Sequence, residues 1–253
     1  MTGAAAAADD IRLPAGFALV PLEVCGSTND EAKDRARAGA PDGTVVWARR
    51  QEAGRGRRGR AWTSPPGNLY ASLVLRPPVP PAQAAIVSFV AAVAVGEAVS
   101  ALVPGCVRLK WPNDVLVDGA KVSGILLESE RVADGAVDWL VLGIGVNVAH
   151  HPDGLEHPAT SLTAAGADAP VERVLERLLA SFAAWYGRWT AQGFAPVRAA
   201  WLNAARGFGG PVTVRLSEET FTGLLVDLDH EGALVVETPA GPRRVTAGDV
   251  FFG

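Results

Sequence analysis

The sequence predicts an α+β fold, in which a mixed β-sheet with flanking helices is followed by a small barrel-like β domain. Predicted strands outnumber helices over the first 206 residues and follow one another at hairpin spacing, which favours a mixed sheet over successive βαβ units. From Pro211 the pattern becomes purely β. A glycine-rich segment at 207–210 separates the two parts. We therefore predict domains at 1–206 and 207–253, with a flexible tail at 1–17.

Composition and charge indicate a globular protein with a sizeable core. Hydrophobic residues make up 49 % of the 253 positions and charged residues 20 %, as in ordinary globular domains. The formal net charge of −4 disfavours nucleic-acid binding. Cys25 and Cys106 lie far apart and form no metal or redox motif, which favours a reducing cytosol. The N-terminal residues lack the basic region of a signal peptide, so we predict a cytoplasmic protein.

The elements of the first domain are predicted from apolar runs between turn residues. After the first strand, Ser27 or Thr28 is expected to cap a helix, with Asp30 or Glu31 completing a capping box. The apolar segment 82–103 is long enough to span a membrane, but Glu97 favours a buried helix instead. The predicted strands are 18–24, 44–48, 69–75, 107–110, 115–117, 122–128 and 139–148.

The second half of the chain begins with the clearest amphipathic helix, at 171–190. Its apolar residues fall on one face, which predicts a packed core stripe. A shorter helix is predicted at 196–205. Five strands are then predicted at 212–216, 220–227, 233–237, 243–246 and 250–252.

The most unusual segment is the arginine loop, residues 51–62, with the sequence QEAGRGRRGRAW. Between Arg49 and Arg60 there are six arginines and one glutamate, in a protein that is acidic overall. Interspersed glycines let the backbone approach a ligand closely. One guanidinium group can donate hydrogen bonds to two oxygens of a phosphate or carboxylate at once. This pattern favours an anion-binding loop over a solvated basic loop.

Well-known phosphate loops do not match this segment. A dinucleotide-binding glycine motif is followed by a helix and an acidic residue about 20 positions later, but here Pro65 and Pro66 follow closely and the acid is missing. A nucleotide P-loop ends in Lys-Ser or Lys-Thr, where this chain has Arg60-Ala61. Protein-kinase motifs do not occur either. The arginine loop is therefore of another kind.

Five motifs in order carry a family resemblance. They are Ser-Thr-Asn at 27–29, the arginine loop, KWPND at 110–114, KVSGILLE at 121–128 and GIGVN at 143–147. Together with ATSL at 159–162 and the β-rich tail, they resemble the biotin protein ligases, biotin–[acetyl-CoA-carboxylase] ligases, from about residue 20 onwards. The resemblance implies an SH3-like C-terminal domain. It also implies the ligase-only class, because the chain has no room for the N-terminal DNA-binding domain that some members carry.

The resemblance implies a two-step reaction. Biotin and MgATP give biotinyl-5′-adenylate and pyrophosphate, and the acyl group then passes to one lysine of a biotin carboxyl carrier protein. ATP, its Mg²⁺ and biotin are thus the expected ligands, without a tightly bound structural metal. The expected partners include no nucleic acid and no membrane, and the expected state is a monomer or weak homodimer.

The resemblance also assigns roles to fourteen residues. Cations are needed where the biotin carboxylate meets the α-phosphate, because both groups are anions. The implied catalytic residues are Arg55, Arg57, Asp114 and Lys121. The implied biotin-binding residues are Ser27, Thr28, Asn29, Gln51, Arg55, Gly56, Arg57, Lys121 and Gly124. The implied ATP- or adenylate-binding residues are Arg57, Arg60, Lys110, Asn113, Lys121 and Asn147.

Several alternatives stay open at this stage. Asp114 is expected either to hold Mg²⁺ or to assist deprotonation of the incoming lysine. Lys121 also fits an exposed turn lysine, and Trp62 and Trp111 fit core residues. The cluster His150, His151 and His157 lacks acidic or thiol companions at ligand spacing, which disfavours a metal site.

Two competing functions remain. Lipoate ligases and octanoyltransferases share the general architecture, but the arginine loop and the KWPND motif speak against them. RNA binding through an arginine–glycine patch predicts an overall basic protein, whereas the pI is near 5.6.

Overall fold

A seven-stranded mixed sheet forms the centre of the protein. The computed structural model describes residues 10–131, 137–154 and 157–252. The strands lie in the order β1-β2-β3-β7-β6-β5-β4, with β1 and β2 parallel and the other neighbours antiparallel. This confirms the predicted mixed sheet. The strands are β1 (Ala18–Cys25), β2 (Thr44–Gln51), β3 (Leu69–Leu75), β4 (Val107–Lys110), β5 (Asp114–Val117), β6 (Ala120–Arg131) and β7 (Val137–Val146).

Five helices flank the two sheets of the protein within the described ranges. The amphipathic helix predicted at 171–190 is present as α4, and its apolar stripe is buried in the core. The segment predicted as one helix at 82–103 is divided into α2 and α3, and most of it is buried inside the fold. The helices are α1 (Thr28–Arg37), α2 (Pro81–Ala84), α3 (Val87–Ser100), α4 (Val171–Gln192) and α5 (Phe194–Ala204).

The start of α1 differs from the predicted capping box. Ser27 is the N-cap residue, with extended backbone angles, but its side chain makes no capping hydrogen bond. Glu31 donates its backbone N–H to the carbonyl oxygen of Ser27, at 3.1 Å. The prediction of a side-chain capping box is therefore wrong. Ser27 instead lines a cavity that is described below.

The two faces of the central sheet are packed differently. The face toward α3 and α4 carries the main hydrophobic core, including Leu73, Leu140 and Leu142. On the other face a smaller apolar cluster packs beneath α1, and it includes Trp139 and Val141. Side chains alternate between faces along a strand. The next residues of β7 on the α1 face are therefore small, Gly143 and Gly145, and a cavity opens above them.

Packing of the chain begins upstream of the first strand. Residues 1–17 are predicted as a flexible tail, and residues 1–9 lie outside the described ranges. Ile11 is buried in the main core, with Leu13 and Phe17 packed against it. The backbone N–H of Arg12 donates to Glu176 of α4 at 2.9 Å. The part of the predicted tail from Ile11 onwards is therefore packed.

The C-terminal β domain is a five-stranded antiparallel sheet with the order β11-β10-β9-β8-β12. It contacts the first domain directly, because Trp111 Nε1 donates to the carbonyl oxygen of Gly232 at 3.1 Å. Gly232 has φ +84, and a Cβ there would lie 2.5 Å from the Phe89 ring. Glycine is thus required at this contact. The strands are β8 (Pro211–Arg215), β9 (Thr220–Leu228), β10 (Leu234–Thr238), β11 (Gly241–Val245) and β12 (Asp249–Phe252).

Candidate active site

One cavity of about 560 Å³ lies at the junction of α1, the arginine loop, the β5–β6 hairpin and β12. All fourteen residues singled out in the sequence line it: Ser27, Thr28, Asn29, Gln51, Arg55, Gly56, Arg57, Arg60, Lys110, Asn113, Asp114, Lys121, Gly124 and Asn147. They come from segments up to 120 positions apart in the chain, and the fold brings them together. Their individual roles remain predictions.

Glycines and one tryptophan shape the floor of the cavity. A Cβ on Gly145 would lie 2.6 Å from Trp62 Nε1, and one on Gly124 would lie 3.0 Å from Cζ3 of the same ring. The indole therefore rests directly on the sheet. The Lys121 ammonium lies 5.4 Å from the ring centroid, within cation–π range. Trp62 thus forms part of the cavity floor; Trp111 also lines the cavity but is almost fully buried.

The neutral end of the cavity is formed by Ser27, Thr28, Asn29 and Gln51. The backbone N–H of Thr28 donates to Gln51 Oε1 at 2.8 Å. Gln51 Nε2 donates to Ser64 Oγ at 2.9 Å, which fixes the orientation of the Gln51 amide. One orienting contact is the backbone N–H of Thr28, and the other is the Ser64 hydroxyl, which itself donates to the carbonyl oxygen of Trp62 at 2.8 Å. This end therefore presents hydrogen-bonding groups without net charge.

The cationic end is formed by Arg57, Lys110 and Lys121, together with Asn113 and Asp114. Lys121 Nζ lies 2.5 Å from Asp114 Oδ1. Arg57 donates to Asn113 Oδ1 at 3.4 Å, and Asn113 Nδ2 donates to the Ile125 carbonyl at 2.7 Å. Lys121 lies on β6 and bridges to Ala159, so the alternative of an exposed turn lysine is wrong.

The protonated, positively charged forms of Arg57 and Lys110 are disfavoured at this end of the cavity. Burial, followed by repulsion from Arg58, lowers the pKa of Arg57. Burial also lowers the pKa of Lys110; attraction to Asp114 opposes this and repulsion from Lys121 adds to it. A bound anion would relieve both effects, since it compensates positive charge where water is partly excluded. The electrostatics of this end therefore suit phosphate or carboxylate.

Acidic residues distant in sequence neutralise the outer arginines of the loop. Arg55 forms two hydrogen bonds with Asp30, at 2.5 and 2.6 Å, and hydrogen bonding to Arg55 holds the pKa of Asp30 far below its usual range. Arg58 and Arg60 contact Asp249 of β12, at 3.3 and 3.1 Å. The arginine loop is thus tied to both domains, which disfavours RNA binding through free guanidinium groups.

The backbone of the loop is sharply turned at its centre. Residues 57–59 form a single turn of 3-10 helix, in which Arg58 has φ +56 and Gly59 has φ +71. Such angles are uncommon for a residue with a side chain. They direct Arg58 toward Asp249, while Arg57 turns toward Asn113. The turn therefore separates the arginines between the rim and the interior of the cavity.

Asn147 and one member of the histidine cluster, His157, line the cavity. Asn147 Nδ2 donates to the carbonyl oxygen of Thr160 at 3.0 Å. His157 lines the cavity, and its ring centroid is 5.1 Å from that of Phe251. His151 Nδ1 lies 3.3 Å from Ser161 Oγ. Across the ranges that the structure describes, no group of three or more His, Cys, Asp or Glu side chains is arranged to hold a metal ion.

Sequence reasoning assigned no role to several residues of the cavity. Trp62 and the glycines at 143 and 145 form its floor, and Asp249 closes it from the second domain. Alternate glycines within an otherwise apolar strand were a detectable signal, because each marks a close approach on the same face. The contribution of Asp249 had no comparable signal, since it depends on how the domains pack.

Models of two protein families match the chain. Residues 22–147 match the Biotin/lipoate A/B protein ligase family, and residues 207–253 match the Biotin protein ligase C terminal domain. The second match agrees with the predicted SH3-like domain.

Individual relatives are more specific. The chain is 42 % identical to the biotin–[acetyl-CoA-carboxylase] ligase of Paracoccus denitrificans, over 90 % of this chain and 97 % of the relative. It is 36 % identical to the bifunctional ligase/repressor BirA of Bacillus subtilis, over 94 % of this chain and 75 % of that relative. The solved biotin protein ligase of Aquifex aeolicus in complex with biotin and ATP superimposes with a TM-score of 0.79, at 30 % identity, over 92 % of this chain and 97 % of that one. The chain therefore belongs to the biotin protein ligase family of enzymes.

Proposed function

We propose that this protein activates biotin with ATP and transfers it to a lysine of a biotin carboxyl carrier protein. The observation that carries the proposal is a single cavity joining a neutral hydrogen-bonding end to a cationic end. Biotin has a matching polarity, with an uncharged ureido ring at one end and a carboxylate at the other. The Aquifex aeolicus relative was solved with biotin and ATP together.

In the first step, a biotin carboxylate oxygen attacks the α-phosphorus of ATP, and pyrophosphate leaves. Both reactants are anionic, so charge must be compensated as they approach. Arg57, Lys110 and Lys121 are the cations at the inner part of the cavity. Arg55 and Arg60 pair with carboxylates on the rim, whereas Lys121 pairs with Asp114 inside the cavity. We assign the main electrostatic role to the inner three, with Arg60 as a partner of the leaving pyrophosphate.

Mg²⁺ is expected to enter with the nucleotide. Magnesium in such sites usually takes one or two protein carboxylates, with phosphate oxygens and water completing its coordination. Asp114 and Asp249 are the carboxylates among the described residues that line the cavity. Asp249 is engaged by two arginines, whereas Asp114 contacts Lys121 at the cationic end. Asp114 therefore fits as the protein ligand, and the metal would supply further charge compensation at the phosphates.

In the second step, the amine of the acceptor lysine attacks the acyl carbon of the adenylate, and AMP leaves. A free lysine has a pKa of about 10.4 and must lose a proton to react. Asp114 also fits this second role, because it is a carboxylate that lines the cationic end of the cavity beside Lys121. Asp114→Asn separates the two roles. Loss of pyrophosphate release indicates the metal role, whereas retained release with slow transfer indicates the base role.

The proposal is tested by incubating the purified chain with biotin, MgATP and an isolated carrier domain. The expected result is a mass gain of one biotinyl group on the carrier, with pyrophosphate released even when the carrier is omitted. Lipoate and octanoate are tested in parallel, because the matched family also includes lipoate ligases. They should give no mass gain. Pyrophosphate release that depended on the carrier would contradict a separate activation step. We place the reaction in the cytoplasm, with the enzyme as a monomer or weak homodimer.

A further inference from the structure

The side-chain amide of Asn68 binds the backbone of three consecutive residues that are distant in the sequence. Asn68 Oδ1 accepts hydrogen bonds from the backbone N–H groups of Val148, Ala149 and His150, at 2.9, 2.9 and 3.0 Å. Asn68 Nδ2 donates to the carbonyl oxygen of His150 at 2.9 Å. Because N–H groups can only donate, they fix which end of the amide is the oxygen. We call these three bound residues the held segment.

The need for this contact follows from where the central sheet ends. The ladder between β3 and β7 ends at the pair Leu69 and Val146, so the N–H groups of the held segment lie beyond it. Buried N–H groups without a partner cost free energy. Consecutive N–H groups that converge on one point also form a concave, positively polarised site that favours an oxygen. Asn68 is 2 % exposed and supplies this oxygen.

The held segment supports one wall of the cavity, which we call the loop wall. Thr163 donates its backbone N–H to the carbonyl oxygen of Val148 at 2.9 Å. Asn147 Nδ2 donates to the carbonyl oxygen of Thr160 at 3.0 Å. Asn68 lies outside the cavity lining, so its effect on a ligand must pass through this backbone. The loop wall comprises the lining residues Asn147, Pro152, His157 and Ala159.

The loop wall is joined to the cationic end of the cavity. Lys121 donates its backbone N–H to the carbonyl oxygen of Pro158 at 2.8 Å, and its own carbonyl oxygen accepts from Thr160 at 2.9 Å. Asn147 donates its backbone N–H to the carbonyl oxygen of Val122 at 2.8 Å. In the proposed function, biotin fills the neutral end and the phosphates of ATP meet the cations. The loop wall is then left to the nucleoside part of ATP.

We propose that Asn68 is a positioning residue for the nucleotide, which fixes the held segment and thereby sets the loop wall where the nucleoside part of ATP binds. This inference rests on the proposed function, since it takes ATP as the ligand. The neutral end is oriented by other contacts, between Thr28, Gln51 and Ser64. The affinity for ATP should therefore depend on Asn68, and the affinity for biotin should not.

The first test compares Asn68→Leu with Asn68→Asp. Leucine is similar in size but has no acceptor, so it releases the held segment. Aspartate keeps an oxygen for the three N–H groups and loses only the donor to His150. We expect Asn68→Leu to raise the Kd for ATP about tenfold, the factor that one hydrogen bond carries, and to leave the Kd for biotin unchanged. Asn68→Asp should recover most of the lost affinity. In steady-state pyrophosphate release, the KM for ATP should change more than kcat.

The second test compares two glycines that both have positive φ. Gly67 has φ +94, and a Cβ there would lie 3.2 Å from Ala149 Cβ, in the held segment. Gly39 has φ +88, and a Cβ there would meet nothing within 4 Å. Both alanine variants carry a similar backbone cost, so their melting temperatures should fall alike. Only Gly67→Ala should raise the Kd for ATP. This pair tests the inference even if Asn68→Leu does not fold.

Three results would overturn the inference. Equal weakening of ATP and biotin binding in Asn68→Leu would indicate a general loss of packing. Equal ATP affinities in Asn68→Leu and Asn68→Asp would show that the oxygen acceptor is not what matters. Equal ATP affinities in Gly67→Ala and Gly39→Ala would show that the held segment does not control the loop wall. A wild-type protein that bound no ATP would instead refute the proposed function.

Discussion

The two ends of the cavity are built in opposite ways. The neutral end uses residues at the start of α1 and the end of β2, whose polar groups are hydrogen-bonded within the protein and largely buried. The cationic end uses a loop and a hairpin, and Asp114 compensates the positive charge of its lysines and arginines only in part. Burial accordingly lowers the pKa of Arg57 and of Lys110. The neutral end therefore has a set geometry before any ligand binds. The cationic end instead has an excess of charge that an anionic ligand compensates.

This difference divides binding and chemistry between secondary structure and loops. Hydrogen-bond geometry demands fixed atoms, which strands and helices supply. Charge compensation acts over longer distances and tolerates movement. Substitutions at the cationic end should therefore change the rate of adenylate formation and the retention of the adenylate. Substitutions at the neutral end should change the affinity for biotin.

The largest effect is expected from Lys121→Met, which keeps the length of the side chain but removes its charge. Adenylate formation should slow by about 10²–10³-fold, as when an electrostatic stabiliser of a transition state is removed. The Kd for biotin should change much less, because the neutral end is intact. Pyrophosphate release under single-turnover conditions measures the first quantity. Equal losses in rate and in biotin affinity would remove the distinction between the two ends.

A smaller effect is expected from Arg57→Gly, in retention of the adenylate. Glycine fits the turn but removes the innermost guanidinium, so the adenylate should dissociate at least about tenfold faster. Released acyl-adenylate would then label lysines of bystander proteins. Arg58→Gly introduces the same flexibility in the same turn, at a residue directed to the rim, and should accelerate dissociation less. An unchanged dissociation rate in Arg57→Gly would contradict the role of Arg57.

Protection of the arginine loop from trypsin should be a few-fold effect. Four arginines within seven residues repel one another, although Asp30 and Asp249 compensate part of this repulsion. A bound adenylate supplies further negative charge and should close the loop over the reactive anhydride. Cleavage at residues 55–60 should therefore slow when biotin and MgATP are present together. Equal cleavage rates would indicate that the loop is already closed without ligand.

The smallest effect concerns the ion pair between Arg55 and Asp30. The pKa of Asp30 is lower in the folded protein than the value of about 3.9 for an unfolded chain. The pair therefore stabilises the fold above about pH 4, and this contribution is lost as the pH falls below that value. Both side chains are more than a third exposed, so Arg55→Ala should lower the free energy of unfolding by at most about 1 kcal/mol.

The measurement for this pair is thermal unfolding of wild type and Arg55→Ala across pH. The difference in melting temperature should be constant from pH 8 to pH 5 and should shrink on further acidification. Arg50→Ala is the control, because Arg50 pairs with Glu52 at a similarly exposed position away from the cavity. A difference that grew below pH 4 would mean that Asp30 is not the partner that matters.

Much of the fold could be predicted from the sequence, because its strands are short apolar runs with clear turns. The strands at 69–75 and 107–110 have the predicted boundaries. The start of α1 could not be predicted from local preference, because Ser27 faces a cavity that only the folded sheet creates. The packing of Ile11 likewise depends on α4, more than 150 residues later.

For the cavity, the motifs located the residues but not their partners. The charge of the arginine loop was evident, whereas its compensation by Asp30 and Asp249 depends on tertiary packing. Trp62 could have been placed by considering the glycines at 143 and 145, which leave room for a large ring. The hydrogen bonds from Asn29 to Glu128 and from Ser72 to Thr28 could not have been found, since each joins side chains that are distant in the sequence.

The position of Trp62 gives the protein an intrinsic optical reporter. All seven tryptophans lie within the described ranges, and the six apart from Trp62 are at most 8 % exposed. A collisional quencher such as acrylamide should therefore reach the indole of Trp62 before the others. A ligand that fills the cavity should shield this ring, so that occupancy can be followed as a loss of fluorescence quenching in the unlabelled, unmodified enzyme.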